Sequence, residues 1–148
     1  LPATIEYLET MGIPVIGFQT NEFPAFFSRE SGLKVTIRVE TTSEIVDLYL
    51  SQIQLGFQNA LLITNPIPKF KELKKNMIDG FIKDALIDAQ NDGIHGAETT
   101  PYLLDKVSNK SSGKSLTANL ALLKNNALLA SQIAIELSAR VKKKEISI

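Results

Sequence analysis

Cysteine is absent from the 148 residues, and histidine occurs once. Without cysteine there is no disulfide, no thiolate nucleophile and no cysteine-ligated zinc, and nothing marks an oxidising compartment. A single histidine cannot supply a multi-histidine metal site. Neither sign of charge is in excess, because 16 Lys and Arg stand against 16 Asp and Glu. That balance argues against nucleic acid as the main partner, since a phosphate backbone demands a basic footprint. No apolar run approaches the ~20 residues of a membrane-spanning helix, and no basic n-region with an apolar h-region opens the chain. Internal repeats and low-complexity segments are missing too. What remains is ordinary for one folded domain: 44% hydrophobic and 22% charged residues. The chain opens Leu1-Pro2 with no initiator methionine, so an upstream segment, able to carry catalytic groups, is expected.

The apolar pattern predicts the elements. Ile5, Leu8 and Met11 recur at helical spacing over Thr4 to Met11, and Gly12 with Pro14 stops that helix. Val15-Ile16-Gly17-Phe18 reads as a short buried strand. Phe23, Phe26 and Phe27 gather around Pro24 in an aromatic loop. Lys34 to Glu40 alternates with period two, as a half-exposed strand does. Thr41 and Glu44 have the spacing of a capping box, opening a helix with Ile45, Leu48, Tyr49 and Ile53 on one face and Gly56 as its stop. Ala60 to Thr64 is a second buried strand, ended by Asn65-Pro66-Ile67-Pro68. A long helix is expected from about Leu73 to Ala89. Thr100 is expected to cap a further helix with Pro101 at its first position, and Ser115 a final helix to about Ala139. The order is helix, strand, strand, helix, strand, helix, helix, helix. That order predicts an α/β fold with a sheet covered on both faces. Three short strands make a small sheet, so an incomplete portion of a larger sheet is expected.

Several residues invite chemistry. Gly113-Lys114-Ser115 resembles the end of a phosphate loop, but the first glycine that motif requires is replaced by Ser108 and the segment before it reads as helix. A capped helix start explains the same residues. His95 lies in a turn, and a plain surface role is favoured over a base with no orienting partner beyond nearby Glu98. Asn65-Pro66-Ile67-Pro68 sets a carboxamide at the carboxyl end of a strand, the edge where α/β sheets bind ligands. A structural Asx turn is the competing account. On the last helix, Leu116, Leu123, Ala130, Ile133 and Leu137 share an arc with Asn119 and Asn126, while Asn125 is expected to face solvent. Two carboxamides on an apolar face either bond neighbouring backbone or line a polar site. Lys142-Lys143-Lys144 reads as a solubilising end within a solvated tail, 140–148.

These blocks together resemble the pseudouridine-5′-phosphate glycosidases, also called the indigoidine-synthase-A-like family. The resemblance rests on Glu6-Tyr7-Leu8-Glu9-Thr10 with Gly12 and Pro14, on Phe23-Pro24-Ala25-Phe26, and on Asn65-Pro66-Ile67-Pro68. It continues with Thr100-Pro101-Tyr102-Leu103-Leu104 and with Ser115-Leu116 through Asn119 to Asn125-Asn126-Ala127. It covers Glu6 to about Ile135 and places residues 1–139 as the carboxyl-terminal part of such an enzyme. The resemblance implies a three-layer α/β/α fold around a mixed sheet, a homotrimer and a cytoplasmic location. It implies cleavage of the carbon–carbon glycosidic bond of pseudouridine 5′-phosphate to uracil and ribose 5-phosphate. A lysine Schiff base, a glutamate, a second lysine and an aspartate holding Mn²⁺ would all lie upstream of Leu1. One functional residue carries over by resemblance: Asn119, as a catalytic and substrate-binding carboxamide. Asn126 is then structural, and the Asn65 turn shapes the pocket wall. Asn59-Ala60 departs from the paired glycines common in the family, which puts the shape of that loop in question. The competing expectation is a non-catalytic sugar-phosphate-binding or oligomerisation module.

Overall fold

Eight regular elements form in the predicted order. The computed structural model describes residues 2–25 and 27–146, with side chains to Lys142. Helix α1 is Pro2–Thr10, strand β1 Val15–Phe18, strand β2 Ile37–Val39, helix α2 Thr42–Gln54 and strand β3 Leu62–Thr64. Helices α3 (Lys75–Asn91), α4 (Thr99–Lys110) and α5 (Lys114–Ile146) follow, with short 3₁₀ turns at Lys69–Lys71 and Gly96–Glu98. Helix α5 therefore runs past its expected end near Ala139. Of the expected aromatic loop, Phe27 is buried and Phe26 lies outside the described residues.

The three strands form a parallel sheet of order β2-β1-β3, with Ile16 opposite both Ile37 and Ile63. The α/β class is as expected. The antiparallel part of a mixed sheet is not found among the described residues, apart from one isolated bridge between Glu22 and Lys34. Strand β2 is shorter than the alternating pattern suggests. Its first residues turn away to pack over β1, where the Thr36 hydroxyl accepts from the Val15 amide at 3.2 Å. Gly17 makes that crossing possible. A Cβ there would collide with the Thr20 carbonyl oxygen and lie 2.9 Å from Val35 Cγ2. Gly17→Ala is therefore expected to destabilise the chain by about 2 kcal/mol, as overpacking against a fixed backbone does. Urea unfolding measures it, and a change under about 0.5 kcal/mol, the usual range for a neutral surface change, would contradict the packing described.

The capping box of α2 forms as its sequence predicts. Thr41 Oγ1 accepts from the Glu44 amide at 3.2 Å, while the Glu44 carboxylate accepts from the Glu40 and Thr41 amides at 2.7 and 2.8 Å. Those backbone donors hold the Glu44 carboxyl below its ordinary range. The other two predicted caps are corrected. A 3₁₀ turn runs directly into α4, so Glu98 precedes the helix and Pro101 is its third residue, with no side-chain cap. At α5 the capping oxygen is Ser111 Oγ, which accepts from the Ser115 amide at 3.1 Å. Ser115 itself is buried, because the preceding turn presses it inward.

Two apolar cores result. One joins Ile16, Val39 and Ile45 with Phe18, Leu48, Ile63 and Ile133, between the sheet, α2 and the second half of α5. The other joins Phe27, Ile67, Ile78, Ala85, Val107 and Ala118, among α3, α4 and the first half of α5. Helix α5 thus bridges both. Over its first half the packed face is the stripe Ser115, Ala118, Leu122, Asn125 and Leu129, one position earlier than predicted, while Ile133 and Leu137 further along pack inward as expected. Leu116 and Leu123 are instead more than half exposed. Apolar and polar residues are interspersed on several sides of this helix, so periodicity alone does not choose its buried face.

Candidate functional site

The carboxyl edge of β3 is where the polar residues of the two halves meet. Thr64 is buried, and its hydroxyl donates to the Ile16 carbonyl at 3.1 Å, fastening the strand end to β1. The chain then enters Asn65-Pro66-Ile67-Pro68. The prolines fix two φ angles and remove two amide donors. Ile67 is fully buried and drives the turn into the helical core.

Both consecutive carbonyls of this turn are held by side chains. Asn125 Nδ2 donates to the Pro66 carbonyl at 3.2 Å. Arg29 Nη1 donates to the Ile67 carbonyl at 2.7 Å, while the Arg29 amide donates to Glu72 Oε1 at 2.7 Å. Asn65 Nδ2 donates to Asn126 Oδ1 at 3.2 Å. The Asn65 turn and the final helix, two separate features of the sequence, are therefore in contact. Two expectations on α5 are corrected. Asn125 is half-buried and bonded rather than solvent-facing, and Asn126 is exposed rather than inside an apolar face. The one-position rotation of the packed stripe accounts for both.

Asn119 is half-buried, two turns before Asn126. Among the described residues its carboxamide has no side-chain hydrogen-bond partner, and no fully buried side-chain polar atom is left unpaired. It therefore retains a donor and an acceptor for water or a ligand. The sequence does not point to Arg29 or Asn125 as site residues. Arg29 lies in a loop without periodicity, and Asn125 falls outside the helix face that the apolar pattern favours.

The far end of α5 is tied to α2 by Arg140. Its guanidinium donates to Asp47, Ser43 and, at 2.9 Å, Glu136. The two carboxylates, Asp47 first, hold it charged above its ordinary range. Tyr102, one of the residues carrying the resemblance, donates to Asp92 Oδ2 at 2.5 Å. That carboxylate raises its phenol above the usual value. It closes α4 onto the end of α3. His95 sits in an exposed turn and Gly113-Lys114-Ser115 follows a helix rather than a strand, as the structural accounts of both require. An apolar cleft of about 530 Å³ lies at the opposite, amino-terminal side of the sheet, against Pro14, Ile37, Leu48, Leu55 and Phe57. It has no titratable side chain in its wall and is remote in topology from Asn65.

The chain is similar to known proteins. Residues 1–136 match the family model described as indigoidine synthase A like protein. The chain is 50% identical over 135 residues to a pseudouridine-5′-phosphate glycosidase of Staphylococcus aureus, covering 91% of this chain and 44% of that one. It is 47% identical over 142 residues to the enzyme of that name from Caldanaerobacter subterraneus, covering 96% and 46%. The chain thus spans about half the length of the curated relatives it matches. Among solved structures it superposes on an indigoidine synthase A-like protein from Thermotoga maritima with a TM-score of 0.81 at 40% identity, over 92% of this chain and 44% of that one. It also superposes on the prealnumycin C-glycosynthase AlnA, solved with ribulose 5-phosphate, with a TM-score of 0.85 at 29% identity, over 96% and 47%.

Proposed function

The chain belongs to the indigoidine synthase A-like family, and on that premise we propose that it forms one wall of an enzyme that cleaves the carbon–carbon glycosidic bond of pseudouridine 5′-phosphate. The observation that carries this reading is the 50% identity to the Staphylococcus aureus glycosidase over nine-tenths of this chain. The products are uracil and ribose 5-phosphate, and the reaction is reversible. The AlnA complex with a pentose phosphate supports the substrate class.

In this reading the chain contributes shape and hydrogen bonding rather than the reactive amine. Asn119 offers an unpartnered carboxamide to the sugar or base. A fixed donor or acceptor of this kind lowers a barrier when charge or geometry changes in the transition state. The Asn65 turn forms the adjoining wall, and Asn126 holds it. A lysine that attacks C1 of the opened sugar as an imine-forming nucleophile belongs to a segment outside this chain. The glutamate and second lysine belong there as well. No three His, Asp or Glu side chains among the described residues converge to hold the implied Mn²⁺, and the aspartate that would hold it belongs to the segment outside this chain. The complete enzyme is proposed to be a cytoplasmic homotrimer, in which exposed Leu116, Leu120 and Leu123 are available for subunit packing.

The test compares this chain with the complete enzyme, made by joining residues 1–148 to the remaining part of the Staphylococcus aureus relative. Uracil release from pseudouridine 5′-phosphate is expected only from the joined form. Robust turnover by the 148 residues alone would mean that the chemistry has been misplaced. A folded but silent joined enzyme that still binds ribose 5-phosphate would favour the second reading, a non-catalytic sugar-phosphate-binding module.

A further inference from the structure

Helix α5 poses a packing problem that apolar burial does not solve. Its packed stripe (Ser115, Ala118, Leu122, Asn125, Leu129) and the neighbouring stripe one residue on (Leu116, Asn119, Leu123, Asn126, Ala130) are similarly apolar. Turning the helix by one residue, about 100°, would exchange them. That rotation would carry Asn119 into the core and Asn125 out of it. Something other than burial must select the observed setting. Polar contacts do this elsewhere, since one partnered carboxamide at a packed helix position fixes register.

We infer that Asn125 is a positioning residue: its hydrogen bond to the Pro66 carbonyl sets the rotation of α5 and so the direction of Asn119. The contact joins a half-buried donor on the helix to a buried, proline-stiffened turn. Arg29 holds the next carbonyl of that turn from the opposite chain segment, which keeps the acceptor in place. Asn65 and Asn126 reinforce the same setting one residue along. Arg140 fixes the far end against α2 but lies about six turns beyond Asn119. Of the side-chain contacts that α5 makes with the Asn65 turn, that of Asn125 lies nearest Asn119, while the Ser111–Ser115 cap tethers only the start of the helix to the turn before it. The catalytic consequence rests on the function proposed above, and the structural one does not.

Asn125→Leu keeps the side chain's size and removes the donor. In the 148-residue chain, the side-chain amide signals of Asn119 and Asn65 in a ¹⁵N–¹H spectrum are expected to move or broaden while helical circular dichroism stays constant. In the complete enzyme kcat is expected to fall about tenfold, the scale of a small misplacement of a substrate-facing group, with KM within about twofold. Asn125→Gln retains the donor and is expected to return both readouts most of the way, which separates positioning from packing. If Asn125→Leu folds and leaves the Asn119 amide signals where they were, the inference is wrong. If Asn125→Leu does not fold, Asn125→Ser decides, with the same two outcomes. An inactive parent enzyme would remove the function proposed above, while the amide signals of the 148-residue chain would still decide the role of Asn125.

Discussion

Asn119→Ala in the complete enzyme is expected to lower kcat for pseudouridine 5′-phosphate about a hundredfold. That is the scale on which removing one preorganised hydrogen-bonding group acts, roughly 2.7 kcal/mol of barrier. The structure makes the change clean. The Asn119 side chain is half-buried and bonds to no other described side chain or backbone group, so its truncation breaks nothing within the chain. Stability is accordingly expected to change by less than about 0.5 kcal/mol. Asn119→Asp is the informative companion. It keeps the shape but replaces the amide donor by an acceptor, so a loss as large as that of alanine would show that the donor matters. Steady-state kinetics beside a thermal melt separates the possibilities. Parent-level turnover in a folded Asn119→Ala enzyme would remove this residue from the site.

The second large effect is on stability. Ile67→Ala is expected to cost about 3 kcal/mol, within the range for emptying a fully buried aliphatic position. Ile67 is completely inaccessible and touches the core shared by Phe27, Ile78, Ala85, Val107 and Ala118. Its neighbours relax little. Pro66 and Pro68 restrict the backbone on both sides, and its own carbonyl is held by Arg29. The cavity therefore stays largely open, which is the condition for the higher costs in such series. For a chain of this length the melting temperature should fall by roughly 10 °C. Urea unfolding of the 148-residue chain measures the same quantity. A loss below about 1 kcal/mol, under the range for emptying a rigid core site, would mean that the turn collapses onto the void and is not the rigid wall described. The same variant in the complete enzyme should lose activity through the Asn65 turn, because Ile67 is what seats that turn in the helical core.

The remaining apolar surface has a consistent pattern. Tyr7 on α1 and Met11 just after it, Leu55 and Phe57 after α2, and Leu116, Leu120 and Leu123 on α5 are all half exposed or more. Patches of this kind on a folded chain mark surfaces that meet other protein. They agree with a chain that spans about half the length of its relatives.

The sequence by itself determined the order and type of all eight elements, because each is written in local terms. Short apolar runs made β1 and β3, Val15 to Phe18 after Pro14 and Leu61 to Ile63 shortly before Pro66, and the Thr41–Glu44 box opened α2. It also carried the family resemblance, since the uncommon blocks around Asn65, Tyr102 and Asn119 lie in the chain itself. Only the tertiary structure decided what those blocks do to one another. The cap at α5 belongs to Ser111, the inward carboxamide is Asn125, and Arg29 reaches across 38 residues to the Ile67 carbonyl. The inward carboxamide depends on which face of a helix with apolar residues on several sides is turned to the core. Local periodicity leaves that rotation undetermined, and contacts with distant segments, the Asn65 turn and α2, fix it.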